Sequence, residues 1–180
     1  MKGRHRVAAL AAALLLAACS AVPKMPAPVA SQTLSGRLAV RVDGVDGAAA
    51  RAMSTAFELQ GGSQAGRLNL STPLGSVIAQ ARWAPGEVVL FTPQGEQRFE
   101  NLDALSREVL GEILPIAAMF DWLRGRPWPG AQSRVNVAPA EAGFEQLGWS
   151  VSLSKFDEDL IAARRERAPV VTVRAKLDRP

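Results

Sequence analysis

The chain has 180 residues, 48% of them hydrophobic and 21% charged, with a formal net charge of +4. That length suits a single domain with a sizeable core, and no Lys/Arg block marks a phosphate-tracking surface, so a nucleic-acid partner is excluded. One His, at position 5, one Cys and no Tyr leave no material for a His general base, a Ser-His-Asp triad or most zinc sites.

Lys2, Arg4, His5 and Arg6 form a cationic head, followed by an Ala- and Leu-dominated run from Val7 to Ala18. A bilayer span takes about 20 apolar residues, so this shorter run with a small-residue exit predicts a secretory signal peptide over 1–18. Leu16-Ala17-Ala18-Cys19 resembles the bacterial lipobox, and the only Cys of the chain stands where that motif needs it. Cys19 is therefore expected to become the acylated first residue of the mature protein. Ser20, in place of the Asp that retains enteric lipoproteins in the inner membrane, points to the outer membrane. Loss of Lys2, Arg4 and Arg6 takes the 21 cations to 18 against 17 acidic residues, so the mature chain is near neutral. Pro23, Pro26 and Pro28 among small residues make 19–34 a tether of extended, solvated backbone. One domain is expected over 35–180.

Leu38, Val40 and Val42 share one face of a first strand and Arg37, Ala39 and Arg41 the other, the alternation of an antiparallel sheet wet on one side. Asp43–Gly47 reads as a turn. Thr55, Phe57 and Leu59 alternate in a second strand, Gly61-Gly62 turns the chain, and Gly66, Leu68 and Leu70 alternate in a third. Thr72-Pro73-Leu74-Gly75 is a tight connection, Pro pre-setting the turn and Gly relieving it. Strands over Ser76–Trp83 and Val88–Phe91 follow, closed by Ala84-Pro85-Gly86 and Pro93-Gln94-Gly95, and Arg98-Phe99 continue the meander. Strands so regularly punctuated predict a barrel or strongly curved sheet.

The period then changes. Asn101 caps a predicted helix in which Leu102, Leu105 and Val109 recur, ending at Gly111. A second starts near Pro115, a good first-turn residue, with Ile116, Met119, Phe120 and Leu123 in one stripe and Gly125 as its end. Arg126-Pro127-Trp128-Pro129-Gly130 is a rigid loop. Val135 with Val137, Phe144–Leu147, and Trp149, Val151 and Leu153 are further strand candidates. The charged segment 155–168 is read as a loop or helical turn. Val171, Val173, Ala175 and Leu177 alternate in the last strand. The fold class is thus mainly β: a curved antiparallel sheet whose apolar face wraps something, with two mid-chain helices as plug or lid.

The remaining chemistry is sparse. There is no phosphate-cradling G-x-x-x-x-G-K-[ST], no metal site and no cofactor is expected, and no catalytic residue is assigned. Asp157, Glu158 and Asp159 sit together, as do Asp43 and Asp46, but in surface loops, where solvated charge outweighs glycosidase or calcium chemistry.

Three segments carry a resemblance: Asn69-Leu70-Ser71-Thr72-Pro73-Leu74-Gly75-Ser76, then Leu114-Pro115 with Trp122-Leu123-Arg124-Gly125-Arg126-Pro127, then Phe144-Glu145-Gln146-Leu147-Gly148-Trp149. In order and spacing they resemble the LolB family over roughly 35–178, although the segment before the first strand is shorter and richer in Pro than in many members. The resemblance implies an outer-membrane lipoprotein, monomeric and not an enzyme, that accepts lipoproteins from the periplasmic carrier LolA and inserts them into the phospholipid of the inner leaflet. It implies an unclosed antiparallel β-barrel with helices over an apolar cavity for acyl chains. Mapped onto the inward faces, the expected cavity liners are Leu38, Val40, Phe57, Leu59, Leu68 and Leu70, with Trp83 and Phe91. Ile116, Phe120, Trp122, Trp149 and Val151 complete the set.

At the Pro73-Leu74-Gly75 tip a polar residue would be ordinary. An exposed Leu74 dipping into a bilayer would contribute about 1.5–3 kcal/mol, and the family places a membrane-delivering apolar residue on such a loop. Competing readings are a lipid-anchored module for another hydrophobic ligand, a hydrolase working through carboxylates, and a structural envelope lipoprotein.

Overall fold

The computed structural model describes residues 33–178 except Asp46. The predicted signal peptide, Cys19 and nearly all of the tether lie outside the described residues.

Eleven strands form one antiparallel sheet: β1 (Leu34–Val42), β2 (Arg51–Gly61), β3 (Gly66–Ser71), β4 (Val77–Ala84), β5 (Glu87–Thr92), β6 (Gly95–Phe99), β7 (Ser133–Val135), β8 (Gly143–Gln146), β9 (Trp149–Ser152), β10 (Leu160–Arg165) and β11 (Val171–Leu177). The spatial order is β6-β5-β4-β3-β2-β1-β11-β10-β9-β8-β7. Two meanders, one before and one after the helices, are joined where β1 pairs with β11 from Gly36↔Leu177 to Val42↔Val171. The strands at the two ends, β6 and β7, do not pair with each other, so the barrel is unclosed, as the resemblance implied.

Alternation does the sorting. In β1 Leu38, Val40 and Val42 are buried while Arg37, Ala39 and Arg41 are exposed. Val171, Val173, Ala175 and Leu177 of β11 are buried on the same side. Because the side-chain period is two, each strand contributes every second residue to one apolar face. The helices α1 (Leu102–Leu110) and α2 (Ile116–Trp122) cover that face, with Leu105, Ile116, Phe120 and Trp122 joining its core. The Asn101 side chain caps α1 by accepting from Ala104 N (2.8 Å), satisfying one of the donors a helix start leaves over. Gly111 ends α1 in the left-handed region at φ 73°, which glycine adopts without a Cβ penalty.

Two expectations for the second half are corrected. The charged segment 155–168 holds a single 3-10 turn, Phe156–Glu158, and then the strand β10, paired to both β9 and β11. Its alternation was disguised because Arg165 occupies an inward position after Ile161 and Ala163, while Ala162 faces out. Val137 lies beyond the end of β7 and is exposed, as is Val135. The Leu147-Gly148 turn has φ of 54° and 75°, positive at both central residues, and such two-residue turns match the twist of a hairpin. It joins β8 to β9 through the Gln146↔Trp149 pair.

Candidate functional site

The concave face and its helical cover enclose an apolar chamber of about 70 Å³. Leu38 and Val40 of β1, Phe57 and Leu59 of β2, and Leu68 and Leu70 of β3 form its sheet wall, and Ile116 of α2 joins them. Seven of the sequence-expected liners therefore meet in one place. Six others pack elsewhere. Trp83 meets Phe120 edge-on with ring centroids 5.5 Å apart. Trp122 lies 6.3 Å from Phe144 and 6.2 Å from Trp149, and Val151 is fully buried beside this aromatic group. Phe91 stands on the opposite face of the sheet: it pairs with Gln80 and Glu96, and the Arg82 guanidinium lies 5.1 Å above its ring. The slip is one residue. Val88–Phe91 is a continuous apolar run without alternation, and the register puts Val88 and Leu90, not Phe91, in the core.

Residues outside the expected liner set complete the chamber: Met53 on β2, Leu105, Val109 and Leu110 on α1, and Leu114, Met119 and Leu123 around α2. Helical spacing had already grouped Leu105 with Val109 and Met119 with Leu123, so the signal was present. What it did not show was which side of each helix meets the sheet. Among the described residues Ser106 is the only polar liner. Its hydroxyl donates to Asp103 O (3.1 Å) and accepts from Leu114 N (3.1 Å), so it is satisfied within the helical hairpin.

The two helices are held unequally. Gln146, buried at the end of β8, accepts from Trp122 Nε1 (2.8 Å) and Trp128 N (2.9 Å) and donates to Trp128 O (2.7 Å) and Ala131 O (2.8 Å). That ties the end of α2 and the Trp128 loop to the sheet. The α1–α2 connection is tied by a charge pair, Arg165 Nη2 donating to Glu112 Oε2 at 2.7 Å, with both side chains largely buried. Among the described residues α1 itself makes no comparable side-chain hydrogen bond to the sheet; it rests on its apolar contacts.

At the β3–β4 connection, Thr72 O accepts from Gly75 N (2.9 Å) and Thr72 N donates to Ser76 O (2.8 Å). Gly75 has φ 88°, the left-handed conformation this turn requires. The tip projects Leu74, which is 96% exposed, and the exposed Val77 and Ile78 follow it. Val77 and Ile78 open β4 and, as successive strand residues, face opposite sides of the sheet, so Leu74 stands at the tip almost wholly open to solvent without a contiguous patch of all three.

The outer face carries compensated charge. Arg164 is hydrogen-bonded to Glu166, and that bond first, then the carboxylate's attraction, raises its pKa above the ordinary guanidinium value. Glu145 does the same to Arg134. Both arginines are exposed pairs of the kind that contribute little to stability. Among the described residues no group of three or more His, Cys, Asp or Glu could hold a metal ion.

An antiparallel sheet that curves without closing, roofed on its concave side by two helices over an apolar chamber, defines the class of open β-barrels with a helical cover. The family model described as outer membrane lipoprotein LolB matches residues 31–173. Proteins named outer-membrane lipoprotein LolB are similar to this chain along most of its length. That of Bordetella pertussis is 33% identical over 176 residues, covering 92% of this chain and 88% of the relative. That of Cupriavidus pinatubonensis is 36% identical over 163 residues, 83% and 75% of the two chains, and that of Chromobacterium violaceum 31% identical over 154, 82% and 81%. The chain belongs to the LolB family of outer-membrane lipoproteins.

Proposed function

We propose that this protein receives lipoproteins from the periplasmic carrier LolA, takes their acyl chains under its helical cover, and releases them into the inner leaflet of the outer membrane. Cys19, acylated, would hold it at that leaflet, and the Pro-rich tether would give it reach. The observation that carries the reading is the chamber itself, walled by three strands and two helices with one satisfied hydroxyl among apolar side chains.

The energetics set the direction. Each methylene kept from water contributes about 0.8 kcal/mol, so one long chain represents on the order of 12 kcal/mol, and a water-filled route is closed to it. Without a nucleotide to drive the step, transfer runs downhill, the receptor binding more tightly than the carrier and less tightly than the bilayer.

The covered form is a resting form. An engineered cavity of roughly 150 Å³ holds one benzene, and 70 Å³ is less than half of that. An acyl chain therefore enters only as the cover moves away from β1–β3, and α1 is the part with the fewest polar ties. In this reading Leu74 leads the tip into the bilayer during release.

The test is reconstitution. LolA loaded with a radiolabelled lipoprotein is mixed with liposomes carrying the acylated protein, and the label is expected to move to the liposomes without ATP. Label remaining on the carrier would overturn the reading. Binding of an acyl probe without transfer would instead make the protein a module for another hydrophobic ligand. Palmitate labelling of cells should mark the wild type and not Cys19→Ala; labelling of both would remove Cys19 as the anchor.

A further inference from the structure

Arg165 is out of place for a residue on the apolar face. It follows Ile161 and Ala163 in the inward row of β10 and is 7% exposed. Only part of its donor set is used. Nη2 donates to Glu112 Oε2 (2.7 Å) and Pro169 O (3.1 Å), and the guanidinium lies 5.7 Å from the Trp149 ring centroid. Its Nε is buried and has no acceptor. A guanidinium offers five N–H donors in a fixed fork, and a buried charge left partly unpaired is disfavoured, so the unused capacity asks for an occupant. The other orphan, Nε of Arg67, belongs to the opposite face of the sheet, where Arg67 donates to Gln60 Oε1 (2.5 Å).

The surroundings say what kind of occupant fits. Arg165 lines an open cleft of about 680 Å³ together with Trp83, Trp128, Trp149 and the first turn of α2 at Pro115. Pro115 and Trp149 also line the small apolar void beneath α2. Arg165 thus marks a boundary, with aliphatic interior on one side and a solvent-open, Trp-walled cleft on the other. A molecule whose tails lie inside and whose head lies outside places its junction there.

We propose that Arg165 reads the carbonyl oxygens at the junction of acyl chain and head group, exchanging part of its bond to Glu112 for them. This rests on the acyl-binding reading above. A cysteine bearing an amide-linked and two ester-linked chains presents carbonyl acceptors at that junction, and once withdrawn from water they need donors. A diacyl phospholipid presents ester carbonyls too, and the experiment separates the two sources.

Binding to the full chain is measured by tryptophan fluorescence with four probes. These are a triacylated cysteinyl peptide with ester-linked chains, its ether-linked analogue, a diester phospholipid and its diether analogue. The wild type is expected to favour the ester-linked peptide about tenfold over its ether analogue, the discrimination one charge-assisted hydrogen bond supplies. Arg165→Lys, which keeps charge and loses the fork, is expected to bind both peptides equally. Glu112→Gln is expected to keep the discrimination. Equal binding of both peptides by the wild type overturns the proposal while leaving acyl binding intact. Discrimination confined to the phospholipid pair overturns the assignment to lipoprotein. Failure of the wild type to bind any probe overturns the functional reading beneath it. If Arg165→Lys does not fold, as judged by circular dichroism, the wild-type ester–ether comparison alone decides.

Discussion

At the scale of single residues, Leu74 and Gln146 are opposite cases. Leu74 touches almost nothing in the folded protein, so replacing it leaves the fold alone: surface substitutions of this kind stay within about 0.5 kcal/mol. Leu74→Glu should therefore unfold at the wild-type temperature, yet deliver cargo to liposomes roughly tenfold to a hundredfold more slowly, the kinetic equivalent of about 1.5–3 kcal/mol of lost insertion. Delivery at the normal rate would show that the tip does not enter the membrane. Gln146 makes four hydrogen bonds from a position that is 2% exposed. Gln146→Leu strands the Trp122 indole N–H and the Trp128 and Ala131 backbone groups without partners. Each of the four costs about 1–3 kcal/mol when buried, so a loss of at least about 4 kcal/mol is expected, seen as a fall in Tm of roughly 8–16 °C. An unchanged Tm would mean that water takes over these bonds.

Among the elements, α1 is the one whose stability would govern access to the chamber in the proposed mechanism. Its two ends were legible in the sequence, Asn101 as cap and Gly111 as terminator, because capping is local chemistry. Asn101→Ala should cost about 1 kcal/mol. Gly111→Ala forces a Cβ into the left-handed region, about 1–2 kcal/mol, and presses it into the Arg51 guanidinium. Both should raise amide exchange in α1 before they lower global stability; exchange that rises uniformly across the sheet would place α1 in the same cooperative unit as the barrel. The strands were legible for a different reason. β1, β2 and β11 alternate cleanly because one face is wet and the other covered, whereas β10 was hidden by a buried Arg. The position of Phe91 was lost because four apolar residues in a row give no phase.

Among the described residues the sheet has two unpaired edges, β6 and β7, a standing risk of edge-to-edge association. Glu96 and Arg98 of β6 are exposed and paired with each other and with Glu87, and the hydrogen bond to Glu87 is the first cause of the raised Arg98 pKa. Arg134 of β7 is paired with Glu145. Charge on an edge opposes pairing with a second copy, so the wild type should sediment as a monomer. The double substitution Glu96→Val with Arg98→Val should shift it towards dimers in analytical ultracentrifugation. A monomeric double variant would show that something other than edge charge keeps copies apart. The same scale carries a prediction about the cover: an acyl probe should deprotect α1 in hydrogen exchange and leave β1, β2 and β11 protected. Protection of α1 that never changes would mean the chains enter elsewhere.

What the amino-acid sequence determined by itself is whatever is read over a few residues: the lipobox-like Leu16-Ala17-Ala18-Cys19 segment, the period-two strands, the two helical stretches with Asn101 as the cap of α1, and Leu74 between Pro73 and Gly75. These are local because backbone preferences, turns and the alternation of faces involve near neighbours only. The tertiary structure decided the rest: that β1 closes on β11, that α1 and α2 lie against β1–β3 and leave only about 70 Å³, and that Arg165 meets Glu112 across 53 positions of chain. Those outcomes depend on register and on packing between distant segments. One residue of register turns a side chain from core to solvent, and no local pattern specifies how much space remains when two helices settle on a curved sheet.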